Sequence, residues 1–129
     1  MTYNHDIIDS KWSFILGASR LIEAEITHGT TLLRTHVEVD PMVGLMAVET
    51  ILALREKYSN AITIQVCVFA QEGITNIEGQ VDLMRQALQL GCDAVGSAPY
   101  CDPLAIRNID IIFELGAEFD LPVDFHLVS

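Results

Sequence analysis

The feature that most constrains this chain is a recurrence, about every 31 residues, of apolar runs rich in β-formers. Four such runs begin near Thr31, Ile62, Asp93 and Val123, and a helix-like stretch separates each run from the next. A period of this size accommodates one strand, one loop and one crossover helix, the unit that joins parallel strands. Folds built from such units carry functional side chains at the C-terminal ends of the strands. The residues that close each run are therefore the first candidates for function.

The hydrophobic pattern predicts four helices that alternate with four strands. The predicted helices run from about Ser10 to Thr27, from Asp40 to about Tyr58, from about Glu78 to Leu90, and from Asp102 to about Phe119. The predicted strands are residues 31–39, 62–69, 93–97 and 123–128. Asp40-Pro41 and Asp102-Pro103 are both interpreted as helix starts, with Asp as the N-cap and Pro at the first helical position.

Two architectures fit four such units: an open doubly wound sheet and part of a (β/α)8 barrel. A closed barrel needs about 250 residues, whereas the chain has 129. It also begins with a predicted helix where a complete barrel begins with a strand. We therefore expect an α/β fold and a single domain over residues 1–129, either an open sheet or a half barrel of four parallel strands.

Composition and charge narrow the class of protein. With 18 acidic and 7 basic residues the formal net charge is −11, so neither nucleic acid nor an anionic membrane surface is an expected partner. Half of the residues are hydrophobic, but no apolar run approaches the roughly 18 residues that span a bilayer. No secretory signal is visible at the N-terminus. The three cysteines, an odd number without a C-x-x-C pair, are expected to be free thiols in a cytoplasmic protein.

Side chains that are mostly polar or aromatic close all four predicted strands. They are Thr35, His36, Glu38 and Asp40, then Phe69, Gln71 and Glu72, then Ser97, Pro99 and Tyr100, and finally His126. His126 lies in an otherwise apolar strand and is either a ligand for zinc or another transition metal or a core histidine bonded to backbone. Gln71 can offer a donor and an acceptor to an amide or pyrimidine-like edge, or it is a loop residue that faces water.

The remaining candidates favour structural interpretations. His36 fits an alternating strand position, with Arg34 and Glu38 pairing across the sheet. The cysteines Cys67, Cys92 and Cys101 are expected to fill the core, because none has an evident activating partner.

Four segments, in order and at characteristic intervals, resemble a known family. They are GTTLLRTHVEVD (29–40), VFAQEGI (68–74), GCDAVG (91–96) and VDFH (123–126). From about Trp12 to His126 the chain resembles the middle of a cytosine-deaminase-like, metal-dependent hydrolase of the amidohydrolase superfamily. The resemblance implies a (β/α)8 barrel that carries zinc or iron and hydrolyses C–N bonds of cytosine-like heterocycles.

The same resemblance assigns three residues. His126 corresponds to the metal-ligand histidine at the end of the fifth barrel strand, Gln71 to the glutamine that hydrogen-bonds the pyrimidine ring, and Phe69 to the aromatic residue beside it. No catalytic residue is assigned, because Ser129 stands where the family has its general acid/base Glu. The family's first-strand His-x-His pair and its later His and Asp ligands are also missing from this sequence, and Ala70 replaces the usual Pro.

Two functions of different classes follow. The first is a segment of a metal-dependent aminohydrolase that is inactive by itself, and the second is a non-catalytic α/β interaction module derived from the same fold. A half barrel has unpaired strand edges, which predicts self-association or a complementary barrel half. A flavodoxin-like receiver domain is disfavoured, because no early strand ends in paired acids and no late strand ends in Lys.

Overall fold

A computed structural model describes residues 2–127 of the chain, with side chains described from residue 13 onward. The elements are α1 (Thr2–Thr27), β1 (Leu32–Glu38), α2 (Met46–Lys57), β2 (Thr63–Ala70), α3 (Gln80–Gln89), β3 (Ala94–Ser97), a short 3₁₀ helix (Pro99–Cys101), α4 (Ala105–Phe119) and β4 (Val123–Phe125). All three strand pairs are parallel, and the strands lie in the order β1-β2-β3-β4. The predicted fold of four parallel strands alternating with helices is confirmed.

The two faces of the sheet differ in chemistry because successive side chains of a strand point in opposite directions. One face carries Val66, Val68 and Val95, which are fully buried in a core that includes Met84 of α3 and Ile112 of α4. The opposite face, called the inner face below, carries small, polar and aromatic side chains. It comprises Arg34, His36, Cys67, Phe69, Ala94, Gly96, Asp124 and His126.

The predicted helix start at Asp40 is wrong. The Asp40 carboxylate accepts hydrogen bonds from the backbone N–H groups of Met42 and Val43, at 2.8 and 2.9 Å. Gly44 then adopts the left-handed conformation, with φ of +65°. This turn delays α2 until Met46, because a left-handed residue cannot continue a right-handed helix.

The predicted start at Asp102 is wrong for a similar reason. Asp102 accepts a hydrogen bond from the N–H of Leu104 at 2.9 Å, and α4 begins only at Ala105. Short polar side chains make such local turns readily, in competition with helix capping.

Smaller differences concern element ends. The first helix begins at Thr2 rather than near Ser10, and α3 begins at Gln80 because Gly79 before it has a φ of +78°. The last strand ends at Phe125, and residue 128, its predicted end, lies outside the described residues. No helix within residues 2–127 is long and apolar enough to cross a membrane.

Candidate active site at the strand ends

His126 lies at the end of β4, where its backbone N–H donates to the carbonyl of Ser97 at 3.0 Å. The residue is exposed to solvent, unlike a histidine buried in the core. Its ring centroid lies 4.6 Å from that of Phe69 and 5.0 Å from that of His36. The described structure thus brings the imidazole of His126 together with residues from β1 and β2.

Phe69 is the buried member of this group of rings and packs against both imidazoles. It is 3% exposed, and its ring meets His36 edge-on, at 5.1 Å and 83°, a favourable aromatic arrangement. Gly96 of β3 makes the assembly possible, because a Cβ there would lie 3.2 Å from Phe69 Cδ2 and 1.9 Å from the backbone oxygen of Asp124. We call His36, Phe69 and His126 the ring cluster.

Gln71 follows β2 directly and is half-buried. Its Nε2 lies 3.8 Å from Sγ of Cys101, at the end of the short 3₁₀ helix that follows β3. Sulfur is a weak acceptor, so this amide can exchange its present contact for a stronger one. Side chains of a strand point alternately to the two faces of the sheet, so Gln71, two residues after Phe69, is directed toward the inner face.

The loop that carries Gln71 is held by Asp102, a residue that the sequence assigned only to a helix start. Its buried carboxylate accepts hydrogen bonds from the backbone N–H groups of Ile74 and Thr75, at 2.8 and 3.0 Å, and from the Thr75 hydroxyl. It also accepts from Leu104 N–H and from Nδ2 of Asn108, each at 2.9 Å. One carboxylate thus joins the loop after β2 to the loop after β3 and to α4.

The environment of Asp102 keeps it ionised. Burial by itself would raise the pKa of its carboxyl, but the hydrogen bonds from Thr75, Asn108 and Ile74 outweigh it and hold the pKa well below its usual range. Asn108 in turn accepts a hydrogen bond from Ser97 Oγ at 2.5 Å, and both side chains are fully buried. The network therefore fixes the end of β3 relative to the Gln71 loop.

Three carboxylates lie near the ends of β1 and β2. Burial raises the pKa of Glu38, and the nearby carboxylates of Asp40 and Glu72 raise it further. The C-terminal edge of the sheet is thus electronegative, which favours cationic or polar neutral ligands over anions.

The predicted pairing of Arg34 with Glu38 is wrong. Arg34 instead donates through Nε to Oε1 of Gln65 at 3.1 Å, and its Nη1 lies 3.5 Å from Oδ2 of Asp124. His36 Nε2 lies 2.8 Å from the same oxygen. His36 is therefore more than an alternating strand residue, because it links β1 to β4.

The cysteines are free. Cys67 and Cys92 are buried, as expected of core residues, and burial raises their pKa values to about 12 and about 11; Asp124 adds to the rise for Cys67. Cys101 is only half-buried, so the expectation that it fills the core is met only in part.

Among the described residues, His126 fits one ligand position of the metal site that the resemblance implies. His126 presents an exposed imidazole at a strand end, the donor type that zinc and iron accept. Between residues 13 and 127 no second histidine or carboxylate matches the other ligand positions of the family. Ser129, at the position of the family's Glu, lies outside the described residues.

Comparison with known proteins finds relatives of the kind that the sequence resembles. No family model matches the chain. N-isopropylammelide isopropyl amidohydrolase of Pseudomonas sp. strain ADP is 38% identical over 109 residues, which are 80% of this chain and 26% of that protein. The structure of N-isopropylammelide isopropylaminohydrolase from Burkholderia multivorans matches 84% of this chain and 28% of its own, with 30% identity and a TM-score of 0.79.

A third similar protein is the 5-methylcytosine deaminase of Klebsiella pneumoniae, solved with 5-fluorocytosine bound. It matches 87% of this chain and 28% of its own length, with 28% identity and a TM-score of 0.81. The chain spans only about a quarter of the length of these relatives.

Proposed function

Because the chain matches a segment of cytosine-deaminase-like enzymes of the amidohydrolase superfamily, we propose that it forms four strands of an aminohydrolase barrel. The reaction proposed is hydrolysis of a C–N bond in a cytosine-like heterocycle. The observation that carries the proposal is the placement of His126, Phe69 and Gln71 at the same, C-terminal edge of a parallel sheet. In barrels of this type that edge carries the active site.

Gln71 and Phe69 form the proposed heterocycle subsite. The primary amide of Gln71 has two N–H donors and a carbonyl acceptor, which match the amide-like edge of a pyrimidine. Its weak contact with Cys101 Sγ costs little to give up. Phe69 packs against the imidazoles of His36 and His126, with ring centroids 5.1 and 4.6 Å away, and gives the subsite an apolar floor, so a planar heterocycle is favoured over a flexible chain.

His126 is proposed as one ligand of the metal. Zinc or iron at this position supplies the activation of water that hydrolysis requires. The part played by this chain is to hold the imidazole at the end of β4, through the backbone hydrogen bond to Ser97 and the contact with Phe69. None of the described residues is assigned as the general acid or base.

We expect these 129 residues by themselves to be inactive. Structural zinc sites with four protein ligands are worth about 10–16 kcal/mol, and His126 alone supplies a minor part of that. A colorimetric ammonia assay on the pure chain with cytosine, together with elemental metal analysis, tests this directly. Turnover accompanied by stoichiometric zinc would contradict it.

Association with another polypeptide surface is part of the proposal. Within the described residues, β1 and β4 are each paired on one side only, and such edges are templates for further pairing. A largely apolar cavity of about 620 Å³ opens between α1 and the sheet, lined in part by Leu21, Leu33 and Ile51. We expect self-association or binding of a complementary barrel half. A monodisperse monomer in light scattering at micromolar concentration would argue against this.

The alternative function is a non-catalytic interaction module derived from the same fold, which would use the edges of β1 and β4 that are unpaired within the described residues. Both functions predict an inactive isolated chain, so a graft is needed to separate them. The experiment replaces the matching segment of the Pseudomonas relative with residues 12–126 of this chain. An aminohydrolase segment restores hydrolysis of that relative's substrate, whereas an interaction module gives a folded but inactive graft.

A further inference from the structure

Three side chains of the inner face converge beside the rings of Phe69 and His126. They are His36 of β1, Cys67 of β2 and Asp124 of β4, and one ligand-type atom from each lies within 4.8 Å of the other two. His36 and Cys67 are direct partners in the β1–β2 register. We propose that these three residues form a binding site for a thiophilic divalent cation of the zinc type, separate from the metal position assigned to His126.

Asp124 reaches the other two residues because β3 presents almost no side chain between them. Ala94 is the β3 partner of Cys67, and Gly96 is the partner of Asp124. A Cβ on Gly96 would collide with the backbone of Asp124. The small residues of β3 therefore leave room on the inner face, and His36, Cys67 and Asp124 reach into it from the other strands.

The chemistry of the three groups suits zinc better than a hard cation. Thiolate and imidazole are ligands that zinc prefers, whereas calcium and magnesium take oxygen donors. Tetrahedral zinc with bonds of about 2.0 to 2.3 Å holds its ligand atoms about 3.3 to 3.8 Å apart. The three atoms reach that spacing by moving about 1 Å or less, within the range of side-chain rotation.

Access to the site is open on one side. His36 is exposed and Asp124 is half-buried, whereas Cys67 is fully buried at the floor. An ion enters past the imidazole and binds Nε2 of His36 and Oδ2 of Asp124 in place of the hydrogen that they share, and the neutral imidazole then carries its one N–H at Nδ1. The ion also replaces the thiol proton of Cys67, which leaves to solvent. A water molecule would complete the four ligands that zinc takes.

One neighbouring cation opposes binding. Nη1 of Arg34 lies 3.5 Å from the Asp124 oxygen that the ion would use. The Arg34 side chain is 38% exposed, so it can move away. Its attraction to Asp124 is then lost, which lowers the affinity of the site for the ion. Removal of this guanidinium should therefore tighten binding, a result that a purely structural role for the His36–Asp124 pair does not predict.

Zn²⁺ titration of the reduced, metal-free chain by isothermal calorimetry measures the site. We expect one ion per chain, an affinity lowered at least about tenfold by Cys67→Ser, and an affinity raised several-fold by Arg34→Gln. Cys92→Ser is the matched control, since Cys92 is also buried and free; it should bind within about twofold of the parent chain. Absence of binding, or equal binding by Cys67→Ser and the parent chain, would overturn the proposal.

Co²⁺ provides a second readout that does not depend on affinity. A thiolate–Co²⁺ charge-transfer band in the near ultraviolet is expected for the parent chain and for Cys92→Ser, and it should be lost in Cys67→Ser. If Cys67→Ser does not fold, His36→Gln, at an exposed position, must lose the calorimetric signal instead. His126→Gln tests whether this site is separate from the proposed family ligand, and this variant should keep the band. If His126→Gln lost the band and Cys67→Ser kept it, the proposal would also be overturned.

Discussion

His36 donates from Nε2 to Oδ2 of Asp124 at 2.8 Å, across 88 positions of sequence and between the two outermost strands of the sheet. Neighbouring strands lie about 4.8 Å apart, so β1 and β4 would be about 14 Å apart in a flat sheet. A direct side-chain hydrogen bond over that span requires a strongly curved sheet. The curvature is that of a barrel wall, and it directs the strand-end residues toward a common centre.

The curvature depends on Gly96, which leads to a first prediction. Gly96→Ala should lower the free energy of unfolding by about 3 kcal/mol, because the new methyl group meets the backbone of Asp124 rather than a movable side chain. Gly17→Ala in α1 is the control, since nothing lies within 4 Å of a Cβ there, and it should stabilise the protein by about 0.5–1 kcal/mol. Urea unfolding of both variants measures the difference. Equal stabilities would show that β3 and β4 do not approach each other as described.

Asp102 is predicted to be the most important buried polar residue for stability. Asp102→Ala leaves backbone donors of Ile74 and Thr75 and the amide of Asn108 without their acceptor, which should cost about 3–5 kcal/mol. Asp110→Ala, at an exposed position of α4, should change stability by less than about 0.5 kcal/mol. Chemical denaturation followed by circular dichroism compares the two. A small effect of Asp102→Ala would mean that the two loops are held by other contacts.

The pH dependence of stability should identify the same carboxylate. The folded-state pKa of Asp102 is lowered relative to its unfolded value of about 3.9. The ionised carboxylate therefore contributes in full to the free energy of unfolding above the unfolded pKa, and this contribution is lost as the pH falls toward the folded pKa. The stability difference between the parent chain and Asp102→Asn should be constant from about pH 7 to 5 and should shrink below about pH 4. A difference that persists unchanged at pH 3 would contradict the assignment.

The thiols should react in a defined order. Cys67 and Cys92 are buried and their pKa values are raised, so few thiolates form at pH 8 and reagents cannot reach them. Cys101 is partly accessible and should be alkylated first by iodoacetamide. Peptide mass spectrometry of the native and the urea-unfolded chain locates the label. Labelling of Cys67 in the native chain before Cys101 would contradict the described inner face.

Periodicity was sufficient to predict the succession of strands and helices and the parallel sheet, because each unit repeats the same apolar pattern. It could not place the helix starts. Asp40 and Asp102 have good N-cap side chains, yet both bind the amides of preceding or following turns. Which amides compete for a carboxylate depends on contacts between loops that are distant in sequence.

The candidate site was predictable only in part. His126, Phe69 and Gln71 could be named from their strand-end positions and from the family resemblance, since each lies in a short characteristic segment. The roles of Asp102 and of the His36–Asp124 pair could not, because they depend on sheet curvature. The sequence signal that bears on this curvature is the series of small residues Ala94, Gly96 and Ala98, because small residues in a strand permit a close approach of neighbouring groups.

The most direct measurement of the central claim is kcat/KM, with metal content, for the graft of residues 12–126 into the Pseudomonas relative. We expect the graft to hydrolyse the relative's substrate. We expect His126→Ala to lower kcat/KM at least about a hundredfold and the amount of bound metal at least about tenfold. His28→Ala is the matched control, since that exposed imidazole lies just after α1 and hydrogen-bonds the backbone carbonyl of Ala24. An active graft in which His126→Ala retains both its activity and its metal would contradict the account.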